Sequence, residues 1–219
     1  MKDLYYLRPE VSNSGLTALK KYFFPDFITY DPTIAFRFGN LIDYMITEPH
    51  KVDFYTKKIE GYEDPMTEDD FKKASEMRKS FMKDQLCAQL MPLASFQKVF
   101  LDRIGFNYGG VKFELDMRCK YDMFMNLLKW GADIKSTASA TQKSFIDACY
   151  HFDYDRSRVL YMLLSRSDKD MILGISKVNY KVFKISIQRG DEFWKSGYEK
   201  LTQLAFQYWL YFENFKIAA

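Results

Sequence analysis

The sequence predicts an α/β fold, with a small mixed β-sheet at its centre, helices packed on both sides, and one domain spanning residues 1–219. Three observations carry this reading. Val111, Phe113, Leu115, Met117 and Cys119 alternate with Lys112, Glu114, Asp116, Arg118 and Lys120, the period-two signature of a strand with one buried face. A second pair of strand-like segments, Met171–Val178 and Val182–Ile187, turns around Asn179. Between and around these strands, apolar residues recur at helical spacing.

In chain order, residues 1–11 read as a short lead-in. Ser12 or Ser14 can N-cap a helix whose Leu16, Leu19 and Phe23 form one apolar face, and Pro25 ends it. By residue pattern alone this is a docked N-terminal helix. Phe38, Leu41, Ile42, Met45 and Ile46 mark a second helix over Phe36–Pro49, with Gly39 permitting close approach near its start. Asp43 lies on this helix, and by residue type it belongs to a solvated polar face. Lys51–Thr67 is irregular. Thr67 and Asp70 form a capping arrangement for a helix reaching about Leu90, with Phe71, Ala74, Met77, Phe81 and Leu90 buried. Ser95–Arg103 reads as another short helix, and Gly109-Gly110 turns the chain into the first strand. Helices follow over Gln142–Tyr150 and Tyr154–Leu164. A long C-terminal helix, Glu192–Phe215, carries Trp194, Tyr198, Phe206, Tyr208, Trp209, Phe212 and Phe215, a composition suited to a core or a subunit interface.

The chemistry concentrates between Phe113 and Thr137. Two strands, Val111–Phe124 and Leu127–Ser136, meet at a turn near Asn126 and form the centre of the sheet. Asp133 and Lys135 are two residues apart and share a face, and a hairpin can bring Asp122 alongside them. Two carboxylates and an amine on one face suit metal-assisted phosphodiester hydrolysis. The carboxylates are hard oxygen ligands for Mg²⁺ or Mn²⁺, and the amine is a fixed cation beside the attacking water or the phosphate.

Composition narrows the partners. A net charge of +3 announces no global basic field, although a local basic groove remains compatible with DNA. Three widely spaced cysteines, Cys87, Cys119 and Cys149, suit a reducing cytoplasm and cannot supply a four-thiolate cluster within this chain. With no signal-like segment or long apolar run, the expectation is a cytoplasmic protein without membrane association.

The order of motifs resembles that of the PD-(D/E)XK nuclease superfamily. Asp122 followed by Asp133-Ile134-Lys135 is similar to its signature, with Tyr121 where proline is common. S-N-S-G-L-T-A-L…P-D-F from Ser12 resembles the opening of RecB/RecE-like exonucleases, and F-G-N-L-I-D-Y-M-I-T-E-P resembles their next helix. W-G-A-D-I-K-S-T resembles their catalytic strand, and Y-D-R-S-R-V-L-Y, Tyr154–Tyr161, the helix after it. The resemblance runs from Ser12 to Tyr161 and is strongest to the exodeoxyribonuclease VIII-type group of phage recombination nucleases. It implies a restriction-endonuclease-like core. It also implies Asp122, Asp133 and the Ile134 carbonyl as metal ligands, Lys135 as the catalytic amine, and Ser136 and Thr137 in contact with substrate. Asp43 stands where the family often has a metal-binding histidine, and aspartate remains a competent hard ligand for Mg²⁺. Ser157 stands where glutamine is common and is shorter. Ser157 and Tyr161 complete the implied substrate-binding set.

The function implied is a Mg²⁺- or Mn²⁺-dependent exonuclease acting on linear duplex DNA, paired with a single-strand annealing protein and able to form homo-oligomers. Two other readings accompany it: a catalytically silent DNA-binding or assembly module of the same fold, and a related endonuclease.

Overall fold

The computed structural model describes residues 4–25 and 32–214. The helices are α1 (Asn13–Phe23), α2 (Pro32–Thr47), α3 (Glu68–Lys83), α4 (Gln85–Leu90), α5 (Gln142–His151), α6 (Tyr154–Ser165) and α7 (Glu192–Tyr208). The strands are β1 (Val11–Ser12), β2 (Val52–Asp53), β3 (Lys58–Ile59), β4 (Ala94–Tyr108), β5 (Val111–Met125), β6 (Trp130–Thr137), β7 (Lys169–Ser176) and β8 (Val182–Gln188). Six of these strands make one sheet in the order β1-β5-β6-β7-β8, with β4 also paired to β5. β6 and β7 run parallel, with α5 and α6 in the connection between them, and the other long pairs are antiparallel. This is the mixed α/β sheet flanked by helices that the sequence predicts.

Local chemistry accounts for most of the element ends. Ser12, rather than Ser14, caps α1 by accepting a hydrogen bond from Gly15 N–H. Thr67 caps α3 through Asp70 N–H, and Glu68, Asp69 and Asp70 complement the positive end of the helix dipole. Asp191 caps α7 through Trp194 N–H at 2.7 Å. Gly109 and Gly110 both take positive φ, +59° and +86°, the requirement of a tight two-residue hairpin turn between β4 and β5.

Six expectations change. Ser95–Arg103 is not a helix but the first half of β4. Once Gly109-Gly110 closes a hairpin, Phe96, Val99, Phe100 and Leu101 pair across to β5, and this non-local pairing decides the structure. The helix expected to run to Leu90 breaks at Asp84, whose backbone is extended and whose carboxylate accepts from Leu86 and Cys87 N–H to start α4. The lead-in contributes β1, which pairs in parallel with β5 at Met117 and Arg118. The turn near Asn126 extends through Lys129, so β6 begins at Trp130 rather than Leu127. A Cβ at Gly39 would meet nothing within 4 Å among the described residues, so close packing does not require that glycine. The C-terminal helix gives way after Tyr208 to a π-helical turn, Trp209–Asn214; Phe215, like Asp26 and Phe27, lies outside the described residues.

The sheet separates two cores. On one side α2, α3 and α4 bury Leu41, Ile42, Met45, Ala74, Met77 and Phe81 against Met123, Met125, Ala132 and Ile134. On the other, α6 and α7 bury Val159, Leu160, Leu201 and Leu204 against Leu115, Met117, Cys119 and Tyr121. α5 closes over β7 and β8 through Phe145, Ile172, Phe183 and Ile185. The aromatic residues Trp194, Tyr198, Phe206, Tyr208 and Trp209 pack against the second core, while Tyr211 and Phe212 are exposed. Among the described residues, no helix is long and apolar enough to cross a membrane.

α1, α6 and α7 are joined by a buried polar network. Arg156 donates to Asn13 Oδ1 at 3.0 Å and to Thr17 Oγ1 at 2.6 Å, linking the first and last of the four sequence motifs. Lys200 of α7 reaches Asp153 at 3.2 Å and Asp155 at 2.9 Å. The two helices approach so closely that a Cβ on Gly197 would lie 2.4 Å from the Asp155 carbonyl oxygen. Gly197→Ala is therefore expected to cost roughly 3 kcal/mol in urea denaturation. Gly39→Ala, in the open interior of α2, should instead gain up to about 1 kcal/mol from helix propensity.

Candidate active site

β5 and β6 are paired only near their turn, at Met123–Ala132, Phe124–Gly131 and Met125–Trp130. Beyond that the strands part: β5 takes β1 as its neighbour, while β6 stays paired along its other edge to β7 from Gly131 to Thr137. The opened fork leaves Ile134 N–H without a ladder partner on β5. The Asp122 carboxylate takes that role, accepting from Ile134 N–H at 2.8 Å. The sequence expectation that the hairpin brings Asp122 beside the Asp133-Ile134-Lys135 segment agrees with this geometry.

Within the fork, Lys135 Nζ forms an ion pair with Asp133 Oδ2 and lies 3.4 Å from the Ile134 carbonyl oxygen and 5.4 Å from the centre of the Tyr154 ring. Asp133 is buried, and Lys135 is half-buried. α2 delivers Asp43 to the same place. Thr47 Oγ1 lies 3.0 Å from the Asp43 carbonyl oxygen and 3.2 Å from Oδ1, and Gln97 Nε2 donates to Thr47 Oγ1 at 3.1 Å. The polar-face reading of Asp43 is thus corrected: its helix packs across the fork and leaves the residue half-buried beside Thr47 and Gln97.

The electrostatics follow from this crowding. Burial pushes the Asp43 carboxyl up to about 6, against the pull of Lys135, and Asp133 raises it further. Asp122 is pushed well above the ordinary carboxylate range by burial, with Asp43 and Asp133 adding to the effect. Burial works in the same direction on Asp133, but Arg158 and Lys135 outweigh it and hold its pKa low. Burial opposes the charge on Lys135 as well, yet Asp133 and Asp122 raise its pKa and keep it an ammonium.

Arg158 and Asp170 escape sequence reading. Arg158 is fully buried on α6, and its Nη1 lies 3.5 Å from Asp133 Oδ1 and 3.6 Å from Asp170 Oδ1. None of its nitrogens has hydrogen-bond geometry to a partner, so the pairing is ionic. Its guanidinium lies 3.9 Å from the centre of the Tyr161 ring. Tyr121 donates to Asp170 Oδ2 at 2.9 Å, and a Cβ on Gly131 would collide with the Tyr121 ring. Positive and negative groups thus alternate from Lys135 through Asp133 and Arg158 to Asp170. The available signal was an arginine set beside the apolar strip Val159-Leu160 of α6; such a residue must find a counter-charge when buried.

The other predicted residues fall around this chain. Tyr161 packs on Arg158 behind Asp133, and its ring centre is 5.0 Å from that of Tyr121. Thr137 Oγ1 lies 3.1 Å from Ser139 Oγ and accepts from Ser139 N–H at 3.1 Å, anchoring the end of β6. Ser136 and Ser157 are half-buried on β6 and α6. His50 and His151 are exposed.

The donor set is all hard oxygen: Asp43, Asp122, Asp133 and the Ile134 carbonyl. Its crowded carboxylates fit a divalent cation by charge. Among the described residues no three acidic, histidine or cysteine side chains already form a metal cage, and the Lys135 ammonium sits on Asp133 instead.

The chain belongs to the family of PDDEXK-like domains of unknown function (DUF3799), whose family model matches residues 26–212. It therefore carries a domain of the PD-(D/E)XK nuclease superfamily, whose members generally use divalent metal ions. Among solved structures it is similar to a phage related exonuclease from Haemophilus somnus 129PT, at 15% identity and a TM-score of 0.40, over 76% of this chain and 80% of that one. It is also similar to SSO0001, at 15% identity and a TM-score of 0.36, over 59% of this chain and 52%, about half, of that one. Likeness at these values carries no argument about activity. No curated protein matches the sequence.

A carboxyl whose pKa is raised by folding holds its proton more tightly in the folded chain. It favours the folded state below its unfolded pKa of about 4, and the advantage is lost as pH climbs through the folded value. Burial raises Asp170 to about 7, against Arg158 and Tyr121, and Asp43 to about 6. The metal-free protein is therefore expected to resist urea better at pH 5 than at pH 8, with Asp43→Asn flattening part of the slope. Equal stability across that range contradicts the assigned burial.

Proposed function

We propose that the chain is a single-domain, Mg²⁺- or Mn²⁺-dependent deoxyribonuclease that hydrolyses phosphodiester bonds at the ends of linear duplex DNA. One observation carries the reading: Asp122, Asp133 and Lys135 meet at the β5–β6 fork, with Asp43 supplied by a separate helix. Membership in the PDDEXK-like family supports it. The choice of exonuclease rests on the motif order from Ser12 to Tyr161.

In this reading Asp43, Asp122, Asp133 and the Ile134 carbonyl would hold the cation. A bound divalent cation lowers the pKa of water and offsets charge on the phosphate. Lys135, kept protonated by Asp133 and Asp122, would offset the negative charge that builds on the phosphoryl oxygens. Tyr154 covers the ammonium on one side. Arg158 keeps Asp133 ionised and ready to bind metal from behind. Ser136, Thr137, Ser157 and Tyr161 are the proposed substrate-binding set, with Tyr161 acting through its packing on Arg158. A cytoplasmic location, a homo-oligomer and a single-strand annealing partner belong to the same proposal.

A silent DNA-binding or assembly module is the second reading, and the ion pair that occupies Asp133 favours it. Activity on linear duplex DNA with Mg²⁺ or Mn²⁺ separates the two. The nuclease reading expects degradation by the wild type and a loss on the order of 100-fold or more in Lys135→Ala and Asp133→Ala, with folding intact. A wild type that binds no Mn²⁺ and degrades nothing leaves the silent module. Cutting of closed circular DNA makes the enzyme an endonuclease.

A further inference from the structure

Gln97 has φ +53° in the interior of β4, a left-handed conformation that a residue with a Cβ holds only when its surroundings impose it. Every β4 residue from Ala94 to Tyr108 has a paired partner on β5 except Gln97. Phe96 pairs with Met123 and Lys98 with Tyr121, so the gap lies opposite Asp122. The alternation of β5 shifts at the same point. Residues two apart in a regular strand share a face, yet Tyr121 lies in the core beneath α6 and α7 while Met123 and Met125 lie in the core beneath α2 and α3. The strand pair is thus kinked at Gln97, where Asp122 leaves the ladder for the fork. Irregularities of this kind re-aim side chains beside functional sites.

The Gln97 side chain reaches the other contributor to the fork. Nε2 donates to Thr47 Oγ1 at 3.1 Å and lies 3.4 Å from Asp43 Oδ2. Thr47 Oγ1 itself contacts Asp43 at its carbonyl and carboxylate oxygens. One residue therefore bears on both acidic arms: its position in β4 faces Asp122 across the unpaired gap in the ladder, and its carboxamide ties Asp43 of α2 to the sheet.

We propose that Gln97 is a positioning residue for the acidic cluster. Its left-handed backbone aims Asp122 into the β5–β6 fork, and its carboxamide holds Asp43 against it, so that the affinity of the cluster for a divalent cation depends on Gln97. The inference rests on the metal-nuclease reading and names a residue that acts through two ligands.

The test is Mn²⁺ binding to the metal-free protein, by calorimetry and by electron paramagnetic resonance, without DNA. Gln97→Gly keeps the backbone, because glycine is at ease at positive φ, and removes the carboxamide. Gln97→Asn also tolerates the left-handed region, and its amide is one methylene too short to reach. Both variants are expected to fold, by circular dichroism, and to bind Mn²⁺ about 10–100-fold more weakly than the wild type. In an Asp43→Asn background, Gln97→Gly should cause little further loss, because the carboxamide acts through Asp43. Wild-type affinity in both variants, or losses from Gln97→Gly and Asp43→Asn that multiply independently, overturns the proposal and leaves the nuclease reading standing. A wild type that binds no Mn²⁺ overturns both.

Discussion

A sheet that opens between two strands must satisfy the backbone groups that the ladder abandons. Here β5 and β6 part after three residue pairs, and Asp122 replaces the missing partner by accepting from Ile134 N–H. Unpaired buried N–H groups are rare because each costs about as much as a lost hydrogen bond. That hydrogen bond fixes a carboxylate at the mouth of the fork. The remaining groups of the site are arranged around that fixed point.

Three carboxylates close together are unfavourable, and the molecule offsets them unevenly. Asp133 is held ionised between Lys135 and Arg158, while Asp43 and Asp122 are left with raised pKa values. Separation of pKa values within one cleft is common at functional sites. Behind the cleft, Arg158 is itself matched by Asp170, and Asp170 by the Tyr121 hydroxyl. The alternation continues into the interior until it ends on neutral groups. Because each member is desolvated, the loss of any one leaves its neighbour uncompensated.

The supports of the site come from distant parts of the chain. α2 carries Asp43 across one face of the sheet, and α6 carries Arg158 across the other. α6 is in turn pinned to α1 through Arg156, Asn13 and Thr17, and to α7 through Lys200 and the close approach at Gly197. The N-terminal motif thus contributes indirectly among the described residues, by setting the position of the helix that carries Arg158.

What the sequence determined by itself was local. The alternation of Val111–Lys120 marked β5, caps such as Thr67 marked helix starts, and the two-residue spacing of Asp133 and Lys135 set them on one face; these signals act within a few residues. The family resemblance, also read from sequence, singled out Asp43, which residue type alone had assigned to a solvated face. Tertiary structure decided what depends on contacts between distant segments. Ser95–Arg103 became β4 only because the Gly109-Gly110 hairpin laid it against β5. Asp43 is half-buried only because α2 crosses the fork, and Arg158 found Asp133 and Asp170 only when α6 packed on β6 and β7. Gln97 gave no sequence signal at all, since its left-handed backbone reflects the pull of two strands and a helix on one residue. Burial and counter-charge arise between residues far apart in the chain, and no local pattern encodes them.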